Sequence, residues 1–147
     1  MVIVGRASAA AILVSLTVLL QSVGMAAIIQ WIRVHEARGT YALGILRSSV
    51  LLVRFTSVIL ILHLLQILLW AGFYRWNCFP SWDAAFYFSA ESYSTVGYGD
   101  LILPLMWRSL GPVESITGVL MCGLSAALLF AIVHRLAERE ERRDTAR

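Results

Sequence analysis

A glycine-alternating segment in the second half of the chain has the residue types that could bind a dehydrated cation. Its residues are Thr95-Val96-Gly97-Tyr98-Gly99-Asp100. Glycine adopts positive φ without steric cost, so alternate residues of this segment can take backbone conformations of opposite hand. Successive carbonyl oxygens then point to one side of the chain. A ladder of such oxygens can replace the water around a monovalent cation.

The composition indicates that a membrane surrounds this segment. The 147 residues are 59 % hydrophobic and 14 % charged, and the mean hydropathy is +0.77. Three stretches without charged side chains are close to or above the length that crosses hydrocarbon: residues 7–32, 55–74 and 115–133. We therefore expect an all-α membrane protein with three transmembrane helices. The remaining segments are too short to bury a soluble core of their own.

The arginines predict the orientation in the membrane. All 12 basic residues are arginine, and the formal net charge is +3. They are concentrated in residues 33–54 and after residue 134, so the positive-inside rule makes both segments cytoplasmic. The N-terminus is then outside, and residues 75–111 begin and end on the external side. The arginines lie at the ends of the apolar stretches and do not form one basic patch, so nucleic acid is not expected as a partner.

The first apolar stretch has two interpretations. Arg6 before it, with small residues such as Gly24 and Ala26, would suit a signal peptide. Its apolar character continues to Ile32, beyond a usual signal-peptide core, and this favours a retained helix. We assign residues 1–32 to an additional N-terminal transmembrane helix and residues 33–54 to a cytoplasmic linker.

A short helix is predicted immediately before the glycine-alternating segment, at residues 81–93. Ser81 suits the N-cap, and Asp83 has a favourable charge for the first turn. About 12 residues at 1.5 Å each span roughly 18 Å, which is too short to cross a bilayer. The helix is therefore re-entrant. Backbone that leaves a helix at membrane depth must face a pore or a protein partner.

This arrangement resembles the pore domain of potassium channels. The resemblance covers residues 55–135 and divides them into an outer helix, a pore helix at 81–93, a filter at 95–100 and an inner helix at 112–135. It implies a fourfold-symmetric homotetramer, since one filter segment supplies one quarter of an oxygen ring. It also implies passive K⁺ conduction across the plasma membrane, without enzymatic activity and without a cofactor other than the permeant ion. Residues 136–147 are then a cytoplasmic tail, and membrane lipid is the surrounding partner.

The same resemblance gives individual residues their roles. Backbone carbonyls, with the Thr95 hydroxyl, would bind K⁺ at four positions: Thr95, Val96, Gly97 and Tyr98. Gly97 and Gly99 would supply the backbone shape. The side chains of Val96 and Tyr98 would pack against the pore-helix aromatics Tyr87 and Phe88. Residues 97–100 alone would also fit a surface turn, but the half-helix before them and the flanking apolar stretches favour the filter.

Glu91, nine residues before Asp100, is the expected filter support. An ionisable group near membrane depth is a candidate functional residue because burying a charge is costly. The resemblance implies that Glu91 and Asp100 pair behind the filter and share a proton, since two adjacent carboxylates cannot both ionise easily. A solvated Glu91 in the external vestibule is the alternative. Glu114, in contrast, is expected to face water or to cap the inner helix.

Glycines in the inner helix are the candidate gating hinge. The resemblance points to Gly123 or Gly118, with close helix packing as the alternative reason for both. Two other functions remain open for the chain as a whole. One is a regulatory subunit that keeps the pore fold without conducting, which the intact filter opposes. The other is half of a transporter with a broken helix, which lacks the expected inverted repeat.

Overall fold

The computed structural model describes residues 2–37 and 45–145, which form four helices and no β-strand. The helices are α1 (Val2–Ala37), α2 (Ile45–Asn77), α3 (Trp82–Tyr93) and α4 (Leu110–Thr145). Three of them contain segments long and apolar enough to cross a membrane: Gly5–Val34, Ser49–Asn77 and Leu110–Arg135. The predicted all-α class with three spanning helices is confirmed.

Two apolar clusters at opposite ends of the bundle fix the directions of the long helices. The first cluster contains Leu13 of α1, Trp70 of α2 and Leu110 of α4. The second contains Ile28 of α1 together with residues of α2 and α4, among them Leu128. Both α1 and α4 run from the first cluster to the second, so they are parallel to each other and antiparallel to α2. The start of α1 therefore lies at the same end of the bundle as α3.

The short helix α3 packs between α2 and α4 and stops within the bundle. The Ser81 side chain accepts a hydrogen bond from the Ala84 N–H at 3.2 Å, which caps the helix, and Asp83 lies in the first turn. Phe88 is buried and contacts the edge of Tyr74 at 5.1 Å between ring centroids. With 12 residues, α3 coincides with the re-entrant helix expected from the sequence.

The long helices extend beyond the apolar stretches that predicted them. α2 begins at Ile45, so part of the predicted linker at 33–54 is helical, while residues 38–44 lie outside the described residues. α4 continues through residue 145 of the predicted tail, and residues 146–147 also lie outside the described part. The reason is that arginine ends an apolar stretch but is a good helix former. Charge therefore marked where the apolar stretches end rather than where the helices end.

Candidate functional site

The glycine-alternating segment is folded back onto the C-terminal end of α3. The N–H of Thr95 donates to the Ser92 carbonyl at 3.0 Å. The N–H groups of Val96 and Gly97 both donate to the Glu91 carbonyl, at 2.9 and 3.2 Å. These bonds use carbonyls that a helix end leaves without helical partners. The end of α3 thus fixes where the segment begins.

The backbone of this segment alternates in hand. Positive φ occurs at three alternate residues: Thr95 (61°), Gly97 (53°) and Gly99 (79°). For the two glycines this conformation is sterically free, whereas for Thr95 it is uncommon and costs about 1–2 kcal/mol. The surrounding hydrogen bonds hold Thr95 in it. This is the alternation that lets successive carbonyl oxygens share one side, as a cation-binding ladder requires.

Glu91 holds the middle of the segment through its side chain as well as its backbone. The side chain is 6 % exposed, and a carboxylate oxygen accepts a hydrogen bond from the Tyr98 N–H at 3.2 Å. With the two bonds to its carbonyl, Glu91 binds the N–H groups of three consecutive residues, 96 to 98. The vestibular alternative for Glu91 is therefore wrong. Its proton sharing with Asp100 stays a prediction.

Asp100 lies close to Tyr87 of α3, and its carboxylate interacts electrostatically with the Tyr87 hydroxyl. Partial desolvation and the Asp100 carboxylate both raise the pKa of the Tyr87 hydroxyl. Tyr87 therefore remains a protonated donor near neutral pH, because an ordinary tyrosine already titrates near 10. Tyr87 and Glu91 hold different points of the segment, at Asp100 and at Tyr98.

The third expected support residue, Phe88, lines the groove between the segment and the start of α4. It belongs to the first apolar cluster with Tyr74 and Phe79. The side chains of Val96 and Tyr98, which were expected to pack on the pore-helix aromatics, are 52 % and 75 % exposed in the single chain. The groove between the segment and the start of α4 has a volume of about 510 Å³, and Thr95, Gly97 and Gly99 line it rather than these two side chains. Within one chain, nothing among the described residues covers these two side chains fully.

Replacing Glu91 by alanine removes the hydrogen bond that its side chain accepts from the Tyr98 N–H. A hydrogen bond to a charged acceptor contributes about 1.5–3 kcal/mol. The rate of hydrogen exchange at the Tyr98 amide is therefore expected to rise by about tenfold or more. Glu91→Gln keeps an oxygen acceptor and should retain part of the protection. Exchange can be followed by NMR of protein labelled with ¹⁵N-tyrosine. Tyr87→Phe is the matched control, because it removes the contact to Asp100 and leaves the Glu91 bond. Equal exchange in Glu91→Ala and the unmodified chain would show that the carboxylate does not hold Tyr98.

A second buried carboxylate, Glu114, was assigned wrongly from the sequence. It was expected to face water or to cap a helix, but it is fully buried at the start of α4. Its two oxygens accept hydrogen bonds from Ser89 of α3 at 2.6 Å and Tyr74 of α2 at 2.8 Å. Glu114 therefore joins three helices directly behind the short helix that carries the segment. The rule that pointed to Glu91, a carboxylate within an apolar region, would have found Glu114 as well.

The two candidate hinge glycines have different surroundings. A Cβ on Gly118 would lie 2.2 Å from the carbonyl oxygen of Tyr93, whereas a Cβ on Gly123 would meet nothing within 4 Å. Gly118 is therefore explained by close approach of α4 to the end of α3, which was the packing alternative. Both glycines lie inside a continuous helix. Gly123 has no such packing explanation within the chain and stays the better hinge candidate.

Comparison with known proteins gives a family. Neither a search of curated proteins nor a search of solved structures found a match. The family model described as "Ion channel" matches residues 51–135, which is more than half of the chain. The match begins in α2, includes α3 and the glycine-alternating segment, and ends in α4, while α1 lies outside it. The chain therefore belongs to this ion channel family, and its three apolar helices make it a multi-pass membrane protein.

Proposed function

We propose that the chain is one subunit of a homotetrameric, potassium-selective channel. The observation that carries the proposal is the alternating backbone of residues 95–99, held on the end of α3 by Glu91. Carbonyls of Thr95, Val96, Gly97 and Tyr98 then coordinate dehydrated K⁺ in successive sites. Conduction is passive, with ions moving down their electrochemical gradient through the filter.

Four copies are needed because one segment supplies one side of each ion site. The single chain leaves large apolar side chains uncovered beside the segment, including Val96, Tyr98 and, at 72 % exposure, Ile116 of α4. A neighbouring subunit that packed beside the filter would cover them. In such an assembly the C-terminal ends of four α3 helices point toward the central cavity. Their partial negative charges favour a cation there.

The proposed orientation follows the arginine distribution. The N-terminus and the filter entrance are external, and the end of α4 is cytoplasmic, in the plasma membrane. The parallel directions of α1 and α4 are compatible with this arrangement. Asp100 then lies at the external end of the filter, where its charge attracts cations.

Rubidium uptake into liposomes that contain the purified chain alone tests the proposal. Vesicles loaded with K⁺ and diluted into Na⁺ medium should accumulate tracer Rb⁺, and Ba²⁺ should block the uptake. The tracer should enter far faster than Na⁺. Lack of Ba²⁺-sensitive uptake at several pH values and voltages would favour a non-conducting subunit. Uptake that required a proton gradient would indicate a transporter.

The Gly99→Ala variant provides the filter-specific arm of this experiment. Gly99 has φ of +79°, and alanine in this conformation costs about 1–2 kcal/mol in each subunit. Rubidium uptake should fall by about tenfold or more, since 1.4 kcal/mol corresponds to a factor of ten. Gly5→Ala is the matched control, because Gly5 is exposed on α1 with nothing within 4 Å of an added Cβ. Equal loss in both variants would contradict a role of the Gly99 conformation in conduction.

A further inference from the structure

A row of buried polar side chains crosses the apolar interior from α1 to the last residue of α3. We propose that Gln21 of α1 is a positioning residue for the filter, acting through Gln66 of α2 and Tyr93 of α3. The additional N-terminal helix, which the family match does not cover, is then part of the conducting machinery rather than a membrane anchor. The effect on selectivity rests on the proposed channel function, whereas the geometry of the row can be tested without it.

The row begins with two side-chain amides. Gln21 and Gln66 are 1 % and 0 % exposed. The Gln66 Nε2 donates to the Gln21 Oε1 at 2.7 Å, and the Gln21 Nε2 donates to the Ser125 Oγ of α4 at 2.9 Å. Gln21 of α1 thus connects α2 and α4 through hydrogen bonds. In an apolar bundle interior, an amide that lost these partners would be left unsatisfied at considerable cost.

The second half of the row reaches the residue that precedes the filter turn. The Tyr93 hydroxyl donates to the Gln66 Oε1, and the His63 Nδ1 lies 2.8 Å from the same hydroxyl. Because the hydroxyl proton is used toward Gln66, the His63 Nδ1 must carry the hydrogen of that second bond. At its other end, Tyr93 is fixed by its carbonyl, which lies against Gly118. Thr95 follows two residues later.

The Nε2 of Gln21 also donates to the Met121 carbonyl at 3.4 Å, which can only accept, so the Gln21 amide has one direction and imposes it on the bonds of Gln66, Tyr93 and His63. With its Oε1 facing Gln66, the Gln66 amide must present Nε2 to α1 and Oε1 to Tyr93. Without Gln21, the Gln66 amide is free to turn over and present its N–H₂ to the tyrosine. The Tyr93 hydroxyl would then become an acceptor, and His63 would lose its fixed tautomer. The ring of Tyr93, and with it the start of the filter, would no longer have one defined position.

The conduction test compares Gln21→Leu with Thr17→Val. Thr17 lies one turn earlier on α1, is fully buried, and accepts a hydrogen bond from the Trp70 Nε1 at 3.0 Å. Replacing Thr17 removes a similarly buried hydrogen bond between α1 and α2, but that bond is not connected to Tyr93. Gln21→Leu is expected to lower the Rb⁺ over Na⁺ preference by about tenfold, the scale of one interhelical hydrogen bond, while Thr17→Val keeps it. Similar preference in Gln21→Leu and Thr17→Val would overturn the proposal.

A second readout does not depend on ion flux. In protein labelled with ¹⁵N-histidine, His63 should show the Nδ1–H tautomer, assigned by loss of its signals in His63→Phe. The Gln21→Leu protein should show mixed tautomers, and Thr17→Val should not. An unchanged His63 signal in Gln21→Leu would overturn the positioning role even if flux were altered. If the unmodified chain conducted no cation, the channel proposal would fail, yet the tautomer shift would still support the row.

A milder substitution keeps the proposal testable if the Gln21→Leu protein does not assemble. Gln21→Asn keeps a buried amide but is one methylene too short to hold both Gln66 and Ser125. It should give the same direction of change in both readouts, with a smaller amplitude. Normal selectivity and a normal His63 tautomer in Gln21→Asn would count against the proposal.

Discussion

The Gly118→Ala protein is expected to lose its folded assembly and its ion flux together, because the added methyl group has no space. It would lie 2.2 Å from the Tyr93 carbonyl oxygen and 3.0 Å from the carbonyl carbon. These are backbone atoms, so no side-chain rotation can relieve the contact, and α4 must move away from the end of α3. Overpacking of this kind costs about 3 kcal/mol. In the proposed tetramer this cost would arise four times, once beside each glycine-alternating segment.

Gly123→Ala is the matched control for this substitution. It adds the same methyl group to the same helix, five residues later, where nothing lies within 4 Å. Alanine should increase helix stability there by about 1 kcal/mol. Thermal stability in detergent, followed by size-exclusion chromatography, and Rb⁺ uptake measure both effects. A Gly118→Ala protein with normal stability and uptake would refute the packing account, whereas a stable Gly123→Ala protein that fails to open would support a hinge at Gly123.

Glu114→Leu is expected to be the second strongly damaging substitution. Glu114 is fully buried and accepts hydrogen bonds from Ser89 and Tyr74. Leucine would leave the Tyr74 hydroxyl, and part of the bonding of Ser89, without a partner. Each unsatisfied buried group costs about 1–3 kcal/mol. We therefore expect a thermal stability well below that of the unmodified chain, with loss of the contact that holds α3 against α2 and α4.

Glu114→Gln should be tolerated far better, for a reason that the geometry supplies. The Ser89 hydroxyl has one proton but two acceptors within reach, the Ile67 carbonyl at 2.9 Å and the Glu114 carboxyl at 2.6 Å. The N–H₂ group of a glutamine at this position would donate to the Ser89 hydroxyl, and the Ser89 proton would then be free for the Ile67 carbonyl. The amide oxygen would accept the hydrogen bond from Tyr74. Melting curves of the two variants provide the comparison. If Gln and Leu were equally harmful, the hydrogen-bond account of Glu114 would be incorrect.

The features that were predicted best from the sequence are those that depend only on residues adjacent in the sequence. The cap at Ser81, the length of α3 and the alternation around Gly97 and Gly99 are local, and each is present in the fold. The burial of Glu114, in contrast, depends on residues far away in the sequence. Its partners Ser89 and Tyr74 belong to two other helices. Charge and hydropathy alone could not distinguish a solvated helix start from a buried one.

The role of α1 illustrates the same limit, although a usable signal was present. Thr17 and Gln21 are four residues apart in an apolar helix, and so are Gln66 and Trp70, which puts each pair on one face. Polar residues on one face of a membrane helix are expected to meet partners in a neighbouring helix. The pattern thus predicts that the two faces pack together, as they do. It does not predict that Tyr93 joins them, because that contact depends on how deeply α3 enters.

The length of α4 gives the protein a mechanical property. Its 36 residues form one uninterrupted helix of roughly 54 Å, well beyond the roughly 30 Å of hydrocarbon. A continuous helix of this length can transmit force from one end to the other. Tension or twist applied beyond Arg135 is transmitted along it, without a joint of irregular backbone, to the point where Gly118 touches Tyr93. A force on the part of α4 beyond Arg135 would therefore reach the end of α3, where the glycine-alternating segment begins.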